Sequence, residues 1–327
     1  MFSFDSKFSK IFMILFCFLV FSQFAIADSD EMIQKTFSVS PGGTLTVETD
    51  IGSIIVQSGA SDQVAVEVLR KFRNGDNEDI AKVFDVTFDQ QGNNIEIIGE
   101  KKKKWDFGWG GIKVQFTIKV PHNYNVDLRT AGGSISVGDL EGTVKSRTSG
   151  GSLTFGDIAG PVMGNTSGGG ITLDKCQGNV DLSTSGGSIR IGDVVGELDV
   201  HTSGGSIDID RVQGKAIAKT SGGSIQADEV SGQIDASTSG GSVEAYIAGQ
   251  PSGDCQLTTS GGTVTVYLDA KASVDLDAKS SGGKVDSDFK VMVQGEMRKN
   301  VLRGEINGGG PEVYLRTSAG SVYIREK

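Results

Sequence analysis

The sequence predicts an all-β chain whose larger part is a single-stranded parallel β-helix, a β-solenoid of 18-residue coils, preceded by an N-terminal β cap. Three observations carry this prediction. A TSGGSI-like motif recurs at a fixed interval. Apolar and polar residues alternate within each unit, the period of a strand with one buried face. The apolar positions also keep their place from unit to unit while their neighbours change.

The motif Thr130-Ala131-Gly132-Gly133-Ser134-Ile135 recurs as Thr148-Ser149-Gly150-Gly151-Ser152-Leu153. It returns at Thr166, Thr184, Thr202, Thr220 and Thr238 at 18-residue steps, then at Thr259 and Ser280 at 21-residue steps. Degenerate copies stand at 307–309 and 317–322. Within the unit 184–201, Ile189 and Ile191 alternate with polar residues, as do Leu198 and Val200. Ser185-Gly186-Gly187 and Gly192-Asp193 are turn chemistry between them. A unit this short cannot bury its own apolar face. Stacking one coil on the next, at about 4.8 Å, does so.

The columns agree with stacking. One inward column begins Ile135, Leu153, Ile171, Ile189, and a second Val137, Phe155, Leu173, Ile191. A third begins Leu140, Ile158, Cys176, Val194, and a fourth Val144, Val162, Val180, Leu198. The threonines that open the units form a further ladder, with hydroxyls expected to bond along the column and methyls to pack. Each Gly-Gly pair reads as a tight corner that needs positive φ or close backbone approach. A phosphate cradle would need a helix after the glycines, and none is predicted.

Three segments follow. Residues 1–27 read as a signal peptide: Lys7 and Lys10, an apolar run of eleven residues over 11–21, then Ala25-Ile26-Ala27 as a cleavage pattern. Residues 28–128 read as an N-terminal β cap with first coils, because they show strands without the period. Asp50-Ile51-Gly52-Ser53-Ile54 in that cap resembles half a coil. Residues 129–327 form the repeat domain, with 286–303 as an insertion that covers the open edge. Cys17 lies in the apolar run behind bulky residues, which is no lipidation context. Cys176 and Cys255 have neither disulfide-framework nor zinc spacing.

Composition narrows the function. The formal net charge is −10, against the dense basic face that nucleic acid requires. Glycine, at 47 of 327 residues, is about twice its usual share, and its periodicity here means structure rather than disorder. No segment after the leader is long and apolar enough to span a membrane as a helix. The chain is therefore expected to be exported, whether periplasmic, cell-surface or secreted, and not an integral membrane protein.

The TSGGSI repeats, then Val285-Asp286-Ser287-Asp288-Phe289, Leu302-Arg303-Gly304-Glu305-Ile306-Asn307-Gly308-Gly309-Gly310-Pro311-Glu312 and Arg316-Thr317-Ser318-Ala319-Gly320-Ser321-Val322, resemble the bacterial putative-adhesin domain family. The resemblance spans about residues 40 to 327. It implies a right-handed β-helix and an extracytoplasmic setting, and it brings no catalytic residues to carry over.

The residues themselves show no catalytic constellation. The histidines are His122 and His201 alone, and there is no Gly-x-Ser-x-Gly elbow or Cys-x-x-Cys pair. Asp139, Asp157 and Asp193 share one turn position and are the candidate metal ligands, with calcium as the cation that oxygen donors would suit. Solvated Asx-turns compete with that reading, and Lys175 and Arg211 interrupt the stripe. No cofactor is expected otherwise. Trp105 and Trp109, behind Lys101, Lys102, Lys103 and Lys104, form the candidate binding loop: indoles can stack on sugars, and lysines can meet anionic glycan or lipid. The competing reading is a cap loop with the indoles packed inward.

The expectation is a non-enzymatic envelope or surface module that binds a glycan or a protein partner. The alternatives are a polysaccharide-active β-helix enzyme, which would need paired carboxylates in a cleft, and an element that assembles end to end.

Overall fold

A computed structural model describes residues 30–72, 80–102, 111–294 and 298–327. Residues 1–27, expected to be a signal peptide, lie outside the described residues. Those described form a single 28-stranded sheet wound on itself. Their one helical element is the 3-10 turn Ile80–Lys82. Among the described residues no helix is long and apolar enough to cross a membrane.

Each repeat supplies a leading strand after its glycine corner and a trailing strand that ends in the next threonine. Ile189–Val195 and Leu198–Thr202 are one such pair. Leading strands pair in parallel with leading strands, as in Ile171↔Ile189↔Ile207. Trailing strands pair with trailing strands, as in Val180↔Leu198↔Ala216. Equivalent residues of successive coils therefore face one another, as at Asp139 and Asp157, 18 residues apart.

All four inward columns are buried over these coils. A fifth runs through Leu128, Ser146, Gly164, Leu182 and Val200, in register on the trailing strands. It compensates for Phe155, the one aromatic ring in the second column. A Cβ on Gly164 would stand 2.6 Å from Leu182 Cδ2 and 3.2 Å from Phe155 Cζ. The missing side chain at Gly164 is therefore the space that Phe155 fills.

The corners are tied by a repeated hydrogen-bond unit. Thr202 Oγ1 donates to the Gly187 carbonyl of the preceding coil at 2.8 Å and accepts from Gly205 N–H at 3.3 Å. The same pair recurs at Thr148, Thr166, Thr184 and Thr220. The threonine hydroxyls expected to bond along the column do so through the corner carbonyl of the coil before. A corner carbonyl lies within reach of each hydroxyl and would otherwise be buried without a donor. The last serine of the motif also bridges coils: Ser206 Oγ accepts from Ser224 N–H at 3.3 Å.

The Gly-Gly pair is required by close approach rather than positive φ. A Cβ on the second glycine, as at Gly205, would overlap the Gly187 carbonyl of the coil before. Positive φ belongs instead to a separate glycine column at the opposite corner, including Gly160 and Gly196, both at φ +148°.

Both ends depart from simple succession. At the first, Thr44–Thr49 lies between Asn125–Thr130 and Asn94–Lys101, parallel to both. Ser53–Ser58 lies between Ile135–Val137 and Ile112–Val120. The half-coil seen at 50–54 is thus a real one, with Ile54↔Ile135 and Val56↔Val137 in register. Antiparallel strands end the stack here: Phe84–Gln91 against Asn94–Lys101, Gln63–Phe72 against Ile112–Val120, and Asp30–Ser38 outside Gln63–Phe72.

At the other end, the coils that open with Thr259 and Ser280 do not stack on each other, although they are successive in the repeat pattern. The trailing strand Glu312–Thr317 sits between Cys255–Thr259 and Val274–Ser280, parallel to both. The leading strand Val322–Glu326 sits between Val264–Leu268 and Val285–Ser287. The chain therefore skips one layer, builds the outer one, and returns to fill the gap. Val301–Ile306 pairs antiparallel on the outside of Val274–Ser280, and Met292–Val293 pairs antiparallel with Val301–Ile306. In the gap, the returning strands find backbone partners on both sides.

Candidate ligand-binding groove

With the inward columns committed to the core and the corners to coil stacking, ligand chemistry is left to the outward columns. The leading strands carry small polar residues there at first, Ser136, Thr154 and Thr172, and then Arg190, Asp208, Gln226 and Glu244. The trailing strands carry charge. Asp127, Asp181, Asp199 and Asp235 fall in one outward column, and Arg129, Arg147, His201 and Lys219 fall in the next. Several are paired: Arg129 Nη2 with Asp127 Oδ2 at 3.0 Å, His201 Nδ1 with Asp199 Oδ1 at 2.9 Å, and Lys219 Nζ with Asp235 Oδ2 at 3.3 Å.

The pattern breaks on the strand Val144–Thr148. Lys145 occupies the column of Asp127, Asp181, Asp199 and Asp235, which also holds Met163 and Ile217, and it lies in register with Asp127 and Met163. Arg147 stands in register with Arg129 and Asn165. Two guanidinium groups thus occupy neighbouring rungs, an unfavourable like-charge pairing. Asp127 offsets Arg129, but Lys145 and Arg147 have no hydrogen-bond or ion-pair partner among the described residues. Around them runs a shallow groove of about 500 Å³, whose lining includes Met163, Asn165, Asp181 and Ser183. Met163 is 46% exposed, one of few large apolar side chains so placed. Asn165 Nδ2 donates to Ser183 Oγ at 2.6 Å. The groove therefore combines two unpaired cations, the Arg129–Asp127 pair, the Asp181 carboxylate, one exposed apolar side chain and side-chain amide and hydroxyl groups, and its surplus of positive charge suits an anionic ligand with an apolar face.

The site residues expected from sequence fare differently. Trp105, Trp109, Lys103 and Lys104 lie outside the described residues. Lys101 ends the strand Asn94–Lys101, and its N–H donates to Asp50 Oδ2 at 2.9 Å. Lys102 Nζ stands 2.9 Å from Asp85 Oδ2, and its hydrogen bond holds the Asp85 carboxyl below its ordinary range.

Asp139, Asp157 and Asp193 do share a column, but the structure does not gather them around a point. Asp139 Oδ1 accepts the Asp157 N–H at 2.9 Å. Lys175 stands between Asp157 and Asp193 in register. Arg211 then bridges Asp193 at 3.2 Å and Glu229 at 3.5 Å. Lys175 and Arg211 thus break the acidic column, with Arg211 in ion pairs on both sides, and among the described residues no group of three or more His, Cys, Asp or Glu side chains converges on a cation site. Cys176 and Cys255 are buried thiols, unbridged. Burial pushes Cys176 up to about 11 and raises Cys255 as well.

The groove was open to sequence reasoning in one respect. Aligning the repeats places Lys145 and Met163 side by side in a column where four other coils carry aspartate.

Comparison with known proteins follows the architecture. The family model described as Toastrack DUF4097 matches residues 44–325. No curated protein matches the chain. Solved structures that match include a putative cell adhesion protein from Clostridium sporogenes, at 13% identity, covering 91% of this chain and 100% of that one, with a TM-score of 0.22. A putative adhesin from Parabacteroides distasonis matches at 13% identity, 91% and 97% coverage and a TM-score of 0.36. A putative lipid binding protein from the same organism matches at 11% identity, 90% and 96% coverage and a TM-score of 0.30.

Proposed function

The chain belongs to the Toastrack DUF4097 family, and from that premise we propose that it is an exported, non-enzymatic binding and scaffold module of the cell envelope or surface. In this reading the scaffold is a right-handed solenoid of 18-residue coils, capped by residues 28–128, and its ligand is an acidic glycan. The observation that carries the reading is the groove at Lys145 and Arg147, two cations without partners over an exposed Met163. A carboxylate- or phosphate-bearing glycan would neutralise both and relieve the Arg129–Arg147 juxtaposition.

Two further features support a binding module over its alternatives. The motif threonines are engaged in holding coils together, and the thiols of Cys176 and Cys255 lie buried. Antiparallel strands close both ends of the parallel stack, which works against end-to-end assembly.

The test is calorimetric titration of residues 28–327 with polygalacturonate oligomers at rising salt. Binding that weakens with salt and is lost in the Lys145→Glu/Arg147→Glu variant is the expected result. Absence of binding, or binding indifferent to that variant, would remove the groove from the account.

A further inference from the structure

Four of the chain's five tyrosines face outward on its last coils, whereas Tyr124, the fifth, is fully buried near the first. Three of the four meet on the leading strands. Tyr246 and Tyr267 are cross-strand partners on Val243–Ile247 and Val264–Leu268. The inserted strand Val322–Glu326 then sets Arg325 beside Tyr267 and Tyr323 beside Thr265. Tyr323 thus stands diagonal to Tyr267, within reach of another ring on the same face. The strip exists only because the last coil returns into the gap left for it.

The fold does not need rings at these positions: the outward residue after the second inward column is Gly156, Asp174 or Gly192 in earlier coils, where Tyr246 and Tyr267 stand, and the column of Tyr323 carries Ser136, Thr154 and Thr172. Yet the outer rings are held in place. Lys327 Nζ stands 3.6 Å from the Tyr246 centroid, and the Tyr246 hydroxyl donates to Asp269 Oδ1 at 2.6 Å. Arg325 stands 4.7 Å and Lys284 Nζ 5.6 Å from the Tyr323 centroid. Tyr267, between them, has neither a cation over its ring nor a partner for its hydroxyl among the described residues. A half-exposed ring flanked by two fixed ones loses little freedom on binding.

The charge around the strip selects the ligand. Arg325 is already paired with Asp286 at 2.8 Å and Asp288 at 2.9 Å. Glu244, Asp269 and Glu326 add further carboxylates at the rim. An anion would meet Arg325 and Lys284 already paired, Lys327 held over the Tyr246 ring, and surplus acid. A neutral ring with one apolar face and hydroxyls at its edge would stack on Tyr267 and donate to those carboxylates.

We propose that Tyr267, flanked by Tyr246 and Tyr323, is a stacking platform for a neutral pyranose of a glycan chain. The platform shares the premise that the chain is a binding module, but it does not depend on the Lys145–Arg147 groove.

The experiment titrates residues 28–327 with cellohexaose, maltohexaose and chitohexaose by calorimetry, alongside Tyr267→Ala, Tyr267→Phe and Lys145→Glu/Arg147→Glu. At least one hexasaccharide is expected to bind the wild type. Tyr267→Ala is expected to weaken it about tenfold, the scale of one lost ring contact, whereas Tyr267→Phe keeps the ring and most of the affinity. The groove variant is expected to bind these neutral sugars as the wild type does, so the two sites fail separately. The proposal is overturned if none of the three sugars binds the wild type, if Tyr267→Ala binds equally well, or if Tyr267→Phe loses as much as Tyr267→Ala.

Discussion

The Thr317 hydroxyl donates a 2.7 Å hydrogen bond to the carbonyl of Gly262, 55 residues earlier in the chain. The next rung is Ser280 Oγ donating to the Gly320 carbonyl at 2.6 Å. The ladder that ties each coil to its predecessor therefore runs from the coil of Thr259 to that of Thr317 and only then to that of Ser280. The last stretch of chain is an interior layer, with Val313, Leu315, Val322 and Ile324 fully buried.

Removing residues 307–327 should accordingly do far more damage than trimming a tail. Each of those four side chains contributes about 1.5–3 kcal/mol of burial, and Val274–Ser280 loses its parallel neighbour. Hydrogen exchange should show protection lost across 255–306 in the shortened chain. Removal of 30–38, an outer strand with one neighbour, should leave the repeat coils protected.

Thr202→Val should destabilise by about 1–3 kcal/mol in urea unfolding, the cost of leaving a buried hydrogen-bonding group unsatisfied. It removes both the donor to Gly187 and the acceptor for Gly205 at a site only 6% exposed. Thr202→Ser keeps both bonds and should cost less, as the natural Ser280 rung suggests.

The glycine corner gives a paired comparison within one motif. A Cβ on Gly150 meets nothing within 4 Å, whereas one on Gly151 overlaps the Gly133 carbonyl. Gly150→Ala should leave the unfolding midpoint nearly unchanged. Gly151→Ala should lower it clearly, because backbone stacked on both sides has little room to yield.

Alkaline stability should report on Cys176. Burial raises its pKa from the ordinary 9.0 to about 11, so the folded state favours the neutral thiol. The stability this confers is fully present below pH 9 and is lost as pH rises through 11. The unfolding free energy measured from pH 8 to pH 11 should therefore fall more steeply for the wild type than for Cys176→Val, whose side chain suits a column shared with Ile158 and Val194.

Much of this architecture is legible in the sequence because stacking forces equivalent positions to repeat. Ile135, Leu153 and Ile171 can be aligned without coordinates, and they are buried together. The fifth column is harder to see, since Ser146 and Gly164 interrupt its apolar character to make room for Phe155. The insertion of the last coil is invisible to periodicity: Thr259, Ser280 and Thr317 all open similar motifs, and nothing local says which two are neighbours. The tyrosine strip is hidden for the same reason, because Tyr323 comes to lie diagonal to Tyr267 only through that insertion. The groove depends on what Lys145 and Arg147 lack, and pairing is a property of neighbouring coils rather than of one unit.

The most direct test of the central claim, that this is a binding module and not an enzyme, is to incubate residues 28–327 with purified acidic envelope polysaccharide and read two quantities from one sample: the bound fraction and the polymer length. The account predicts saturable binding that Lys145→Glu/Arg147→Glu reduces, with polymer length unchanged after prolonged incubation. Progressive shortening of the polymer by the wild-type chain would contradict it and make the solenoid a polysaccharide-active enzyme.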